Sequence, residues 1–170
     1  EKLAEETEKL VLVEKNGNLA NHIRNRFPGA EVLKKDFLEL NLDEKGIERC
    51  VSNIPFEISS DIVEKLGKAQ IQSALIVQDE LADKIVAEPG DKNYGIATIR
   101  AQYYFIPVKL RTIDSRNFYP EPEVDAAILK LYPNKDRHPI EDEEAFFKLA
   151  KALFTHKRKK LRNAFVDVRH

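Results

Sequence analysis

The sequence predicts an α/β protein built on a mostly parallel sheet with an antiparallel hairpin strand near its carboxyl end. Three observations carry this expectation. Short apolar runs that close on a polar residue alternate with segments of helical period through the first half of the chain. Two strand-like segments then follow one another with no long helix between them, the mark of a hairpin. The length of 170 residues, 42% of them hydrophobic, suffices to bury one core, or one core and part of a second domain.

The elements follow in order. Lys9-Leu10-Val11-Leu12-Val13-Glu14 is a short apolar run closed by an acid, the pattern of a buried parallel strand whose carboxyl end faces a ligand crevice. From Asn18 to Phe27, Leu19, Ile23 and Phe27 recur at helical spacing, and Pro28-Gly29 ends that helix. Residues Ala30 to Leu33 read as the next strand, with Lys35-Asp36-Phe37 beyond its end, so a crossover unit is expected. Residues 47 to 54 form a third strand, ended by Pro55, which cannot donate to a ladder. Ser59-Ser60-Asp61 offers caps for a helix with Ile62, Val63 and Leu66 on one face, closed by Gly67. Residues 71 to 77 make a fourth strand, and Asp79 to Ala87 a helix stopped by Glu88-Pro89-Gly90. A helical stretch near Tyr94 to Gln102 precedes strand formers from Tyr103 to Ile113, a proline-rich loop from Phe118 to Glu123, and a last strand from Ala126 to Tyr132. Asp142 to Phe154 is amphipathic, with Phe146, Leu149, Ala150 and Leu153 inward, and it runs into the basic stretch His156 to Arg162. Residues 133 to 139 are the best candidate linker, which predicts a core over 1–133 and the start of a second, helical part over 134–170.

Composition excludes several classes. No apolar run approaches the ~18 residues of a membrane span. Lys and Arg number 28 against 29 Asp and Glu, so no bulk positive field marks a nucleic-acid binder, and any such partner must meet a local patch. The single cysteine, Cys50, cannot form an internal disulfide, and no charged-then-apolar leader opens the chain, which points to a reducing cytoplasm. Methionine is absent and the chain opens on Glu1 in a helix-like pattern, so a longer polypeptide is expected to contain it.

Glu14, Asp36 and Asn53 all fall at the carboxyl ends of predicted strands, and parallel strands put those ends on one edge, where ligands of α/β sheets bind. A carboxylate such as Glu14 offers two acceptors, enough for both ribose hydroxyls of a nucleoside; alternatively it pairs with Lys15 at the surface. Asp36 either accepts an amino proton from an adenine while Phe37 packs on the ring, or caps a turn. Asn53-Ile54-Pro55-Phe56 is the sharpest local signal. An exocyclic base amine is a poor nucleophile because its lone pair is delocalised. The Asn53 side-chain oxygen and the Ile54 carbonyl, aimed at its N–H bonds, favour pyramidal nitrogen and free that pair. Pro55 stiffens the turn, and Phe56 offers a face for an extruded base, a stack worth ~1–3 kcal/mol.

Asn53-Ile54-Pro55-Phe56 followed by Ile58-Ser59-Ser60 resembles the catalytic loop of the rRNA adenine N6-dimethyltransferases. Three further segments carry the same resemblance: Glu88 to Gly95, Phe118 to Ala127 with its alternating prolines, and His156 to Ala164. The resemblance implies a Rossmann-like class I methyltransferase sheet. It also implies S-adenosylmethionine as cofactor, held on Glu14, Lys15, Asp36, Phe37 and Asn53, with no metal. Asn53 to Phe56 form the catalytic loop, Phe56 and Phe118 stack on the target base, and Lys157, Arg158, Lys159, Lys160 and Arg162 bind RNA. Phe56 stands where the family more often has Tyr; stacking survives, whereas a phenol hydrogen bond is lost. The family's first strand and glycine-rich loop are expected upstream of residue 1. Substrate and partner are then the small ribosomal subunit and its rRNA, with no membrane and a monomer expected. The basic run also fits a solvated helix end.

Two related readings compete. Asp61-Ile62 leans toward the sister family that methylates large-subunit rRNA and confers macrolide resistance, whereas Pro89-Gly90 and residues 157 to 164 lean toward archaeal small-subunit enzymes. A non-catalytic ribosome-assembly factor with this fold is the third reading. A dinucleotide oxidoreductase also places an acid like Glu14 after a strand, but leaves Asn53 to Phe56 and the Pro120-Pro122 loop without a role.

Overall fold

The computed structural model of the protein describes residues 2–155. By compactness the chain divides into two units, Glu1–Gly46 and Ile47–His170.

The first unit contains α1 (Lys2–Glu6), β1 (Val11–Val13), α2 (Gly17–Arg26), β2 (Glu31–Leu33) and two 3-10 turns, Phe37–Glu39 and Asp43–Lys45. β1 and β2 pair in parallel, Val11 opposite Glu31 and Val13 opposite Leu33, so the expected crossover forms. Backbone bonds from Glu31 N to Leu10 O (2.9 Å) and from Glu14 N to Leu33 O (3.0 Å) extend the pairing at both ends. The helix starts earlier than its apolar spacing suggests because Asn16 caps it, its Oδ1 accepting from Asn18 N at 2.9 Å and Leu19 N at 3.2 Å. Leu19 is 53% exposed, contrary to the expected inward stripe. Ala20, Ile23 and Phe27 form the inward face instead, at i, i+3, i+7.

The second unit contains β3 (Arg49–Asn53), a 3-10 turn Phe56–Ile58, α3 (Ser59–Lys68), β4 (Gln72–Gln78), α4 (Asp79–Val86), α5 (Ile96–Tyr104), β5 (Phe105–Ile113), a 3-10 turn Ser115–Asn117, β6 (Ala126–Pro133) and α6 (Glu143–Thr155). Its sheet has the order β3-β4-β6-β5, with β3 parallel to β4 and the late hairpin β5–β6 antiparallel, as expected. The register slips between Lys109 and Arg111, which bulges Leu110 outward to 50% exposure.

Alternation decides which face is buried. Ser73, Leu75 and Val77 of β4 stand opposite Leu131, Leu129 and Ala127 of β6, and all six are buried. Each fully buried leucine there contributes roughly 1.5–3 kcal/mol relative to exposure. Ile62, Val63 and Leu66 of α3 are buried as their spacing predicts, and Ala82 and Ile85 of α4 join them in the core.

Three local expectations fail for tertiary reasons. Gly67 does not close α3, which runs on to Lys68 with Gln70 in the left-handed region at φ 52°. Gly67 is needed because Tyr104 lies against it: a Cβ there would stand 2.7 Å from Tyr104 Cβ and Cγ. Ser59 does not cap α3 from outside but opens it, its buried Oγ donating to Pro55 O at 3.0 Å. Tyr103 and Tyr104, read as strand formers, are helical. The rings pack edge-on to one another and against Phe147 of α6, and the Tyr104 hydroxyl donates to Glu143, so α5 gains more by continuing. Burial and the neighbouring Glu143 push the Tyr104 phenol well above its ordinary pKa.

Candidate active site

In the first unit, the candidate acids sit just past the carboxyl ends of two parallel neighbours. Val13 and Leu33 are register partners; Glu14 follows the first directly and Asp36 lies three residues beyond the second. Glu14 Oε1 accepts from Asn16 N at 2.7 Å, which holds the carboxylate at the strand-to-helix turn. Asp36 caps the Phe37–Glu39 turn, its Oδ1 accepting from Leu38 N at 3.0 Å, and its Oδ2 takes the Lys15 ammonium at 2.7 Å. The Lys15 hydrogen bond, then the Leu38 N–H, hold the Asp36 carboxyl below the usual range, and the same bond raises Lys15. Lys15 is therefore the partner of Asp36, not of Glu14. Its side chain is 78% exposed, so this is a solvent-screened pair. Phe37 is half-buried at the first position of the turn. Of the two readings of Asp36, the turn cap is the one seen here, placed beyond a strand end and next in sequence to Phe37.

In the second unit, Asn53 ends β3 opposite Ile76. Ile54 still donates to Ile76 O at 3.4 Å, and its side chain is 4% exposed, anchoring the motif in the core. Pro55 then ends the ladder. Its carbonyl accepts from Ile58 N at 3.3 Å and from Ser59 Oγ at 3.0 Å, locking the turn between β3 and α3. Asn53 is exposed and Phe56 half-buried, which leaves an amide and a ring face at the sheet edge. Among the described residues, no hydrogen bond takes up the Ile54 carbonyl.

The sheet order brings Phe118 to this same edge. β4 ends at Gln78, opposite the first residue of β6, Ala126, which also faces the last residue of β5, Ile113. The loop joining β5 to β6 therefore emerges beside the carboxyl ends of β3 and β4, roughly two to three strand spacings, about 10–15 Å, from Asn53. It is internally braced. Arg116 makes two bonds to Asp114 at 2.8 and 2.6 Å, Ser115 N donates to Asp125 Oδ1 at 2.9 Å, and Ser115 Oγ to Glu121 Oε1 at 3.0 Å. The Arg116 hydrogen bond holds the Asp114 carboxyl down to about 2. Phe118 N donates to Ser115 O at 3.0 Å, and its ring is half-buried.

Sequence reasoning missed Asp79, which ties α4 to β5 below this edge through Lys109 Nζ at 2.9 Å and Thr112 Oγ1 at 2.7 Å. Both partners lie about thirty residues away, and only the tertiary register reveals them. Cys50 is half-buried, and burial pushes its thiol up to about 11, so it stays protonated and unreactive, as a packing residue. The five basic candidates, Lys157, Arg158, Lys159, Lys160 and Arg162, lie outside the described residues. Among the described residues no cluster of three or more His, Cys, Asp or Glu is arranged to hold a metal, and no helix is long and apolar enough to cross a membrane.

Comparison with known proteins adds independent findings. The family described as "Ribosomal RNA adenine dimethylase" matches residues 1–170. "Ribosomal RNA small subunit methyltransferase A" of Borreliella afzelii is 37% identical over 160 residues, covering 92% of this chain and 53% of that protein. "Probable ribosomal RNA small subunit methyltransferase A" of Methanosarcina mazei is 34% identical over 171 residues, covering 98% of this chain and 62% of its own length. The chain thus spans little more than half of such relatives. Among solved structures, a dimethyladenosine transferase from Plasmodium falciparum superposes with a TM-score of 0.85 at 26% identity, over 96% of this chain and 62% of that one. The 23S rRNA methyltransferase ErmE has a TM-score of 0.73 at 24% identity, over 98% and 69%, a likeness of fold.

Proposed function

Because this chain belongs to the ribosomal RNA adenine dimethylase family, we propose that it carries the core of an S-adenosylmethionine-dependent enzyme that dimethylates N6 of adenosines in small-subunit ribosomal RNA. What supports this reading is one juxtaposition: Asn53 to Phe56, at the carboxyl end of β3, share a sheet edge with the braced loop that bears Phe118.

On this reading Glu14 accepts from the cofactor ribose, and Asp36 accepts from its adenine amine with Phe37 against the ring. The bound cofactor supplies an electrophilic methyl group on a sulfonium. Asn53 Oδ1 and the Ile54 carbonyl accept the two N–H bonds of the target amine, favouring pyramidal nitrogen and turning its lone pair outward. Phe56 and Phe118 hold the extruded base from its two faces. Such positioning supplies much of the acceleration in a two-reactant transfer, and the chemistry needs no Lewis acid. The basic run Lys157, Arg158, Lys159, Lys160 and Arg162 contacts flanking phosphates, at the start of a helical domain following residue 133. The enzyme acts as a monomer on ribosomal particles in the cytoplasm.

Labelled methyl transfer to purified unmethylated small and large subunits tests this. The complete polypeptide is expected to label the small subunit, and N53A to lose roughly 100-fold or more in turnover while cofactor affinity stays within a few-fold. Normal turnover by N53A removes the acceptor from the mechanism. Labelling of the large subunit alone transfers the protein to the sister activity, and RNA binding without any transfer leaves an assembly role.

A further inference from the structure

We propose that Tyr119 is a stacking platform for an unpaired RNA base flanking the target adenosine; the proposal rests on the RNA-directed reading above. Tyr119 is 102% exposed, next to Phe118 in the β5–β6 loop and on the same edge as Asn53. A flexible loop would fold such a ring back onto apolar surface. This one is fixed on both sides of the tyrosine: Asn117 Nδ2 donates to Asp114 O at 3.0 Å, Ser115 is tied to Asp125 and Glu121, and Asp79 N donates to Asp125 O at 3.0 Å. The ring is thus held in water before any partner arrives.

Its surroundings select the partner. Other exposed aromatic rings lie elsewhere: Tyr132 pairs with Ile106 at the far end of the hairpin, and Phe146 sits edge-on to Phe147 in α6. The loop's cation, Arg116, is spent on Asp114, and Asp125 and Glu121 are turned onto Ser115. The loop therefore offers a flat face but no free guanidinium for a phosphate, which suits the π-face of a splayed base and not a nucleic-acid backbone. A stack of this kind binds any base and contributes equally at low and high salt, unlike contacts from Lys or Arg.

The experiment compares wild type, Y119A, Y119F and Y119W of the complete polypeptide, using a short single-stranded RNA with one adenosine among uridines for binding and unmethylated small subunits for transfer. Y119A is expected to weaken RNA binding about tenfold, with the salt slope, the cofactor affinity and kcat unchanged. Y119F should bind as wild type does, because only the ring face is required. No tryptophan occurs in residues 1–170, so Y119W adds a reporter whose emission should be quenched by the RNA. Wild-type RNA affinity in Y119A overturns the proposal, as does a change in salt slope, which would mark a charge effect. A wild-type enzyme that transfers no methyl group while Y119A still binds RNA tenfold more weakly overturns the methylation reading and supports the platform.

Discussion

Replacing Gly67 with Ala tests whether tertiary packing or local helix chemistry controls the α3–α5 contact beneath the candidate site. Local chemistry favours the change, since Ala in a helix interior is better than Gly by about 1 kcal/mol. Packing opposes it. The added Cβ would lie 2.7 Å from Tyr104 Cβ and Cγ and 2.9 Å from Cδ2, roughly 1 Å inside ordinary contact. Tyr104 cannot withdraw cheaply: it is 1% exposed, its ring meets Tyr103 at 4.9 Å and Phe147 at 6.0 Å, and its backbone oxygen accepts from Asn134 N at 2.8 Å. Overpacking of this kind costs up to about 3 kcal/mol, so the net loss is about 2 kcal/mol, or a fall in Tm of roughly 4–8 °C for a domain of this size. Urea unfolding of wild type, G67A, Y104A and the double variant measures it. In the Y104A background the contacts with Cγ and Cδ2 are gone while the Cβ at 2.7 Å remains, so the penalty of G67A should be smaller than in the wild type. Equal or higher stability of G67A alone, or an unchanged penalty when Tyr104 is removed, refutes the reasoning.

Two further outcomes concern the loops at the candidate site. Lys15 competes with an adenine amine for Asp36, whereas Asp36 is already oriented by Leu38 N; K15M should therefore tighten binding of neutral adenosine about two- to fivefold, with the gain vanishing at high salt, and weaker binding would make Lys15 a direct ligand contact. The Asp114 carboxyl is depressed to about 2 by Arg116, so its support of the Phe118 loop is complete above the ordinary carboxylate pKa of about 4 and is lost as pH falls toward 2. The ratio of wild-type to D114N cleavage by pepsin at Phe118–Tyr119 should climb toward one over that interval, and a flat ratio would show that the ion pair does not hold the loop.

Hydrophobic period reveals the elements because it is local. The short apolar runs around Val11, Val51 and Leu75 and the stripe Ile62, Val63, Leu66 need no knowledge of partners, and polar residues at or just past strand ends point to Glu14, Asp36 and Asn53. Errors arose where a distant neighbour outweighed local preference. Phe147 and Glu143 of α6 draw Tyr103 and Tyr104 into α5, and the Tyr104 ring gives Gly67 a purpose other than stopping a helix.

Short-range pattern and the order of motifs thus identify the fold class and the strand ends of this chain and single out the candidate site residues. Folding in three dimensions decides the sheet order β3-β4-β6-β5, the pairing of Lys15 with Asp36 and the brace beneath Phe118 and Tyr119. The division has one cause: period and capping act over a few residues, whereas register and ion pairing join groups that only the completed backbone brings within reach.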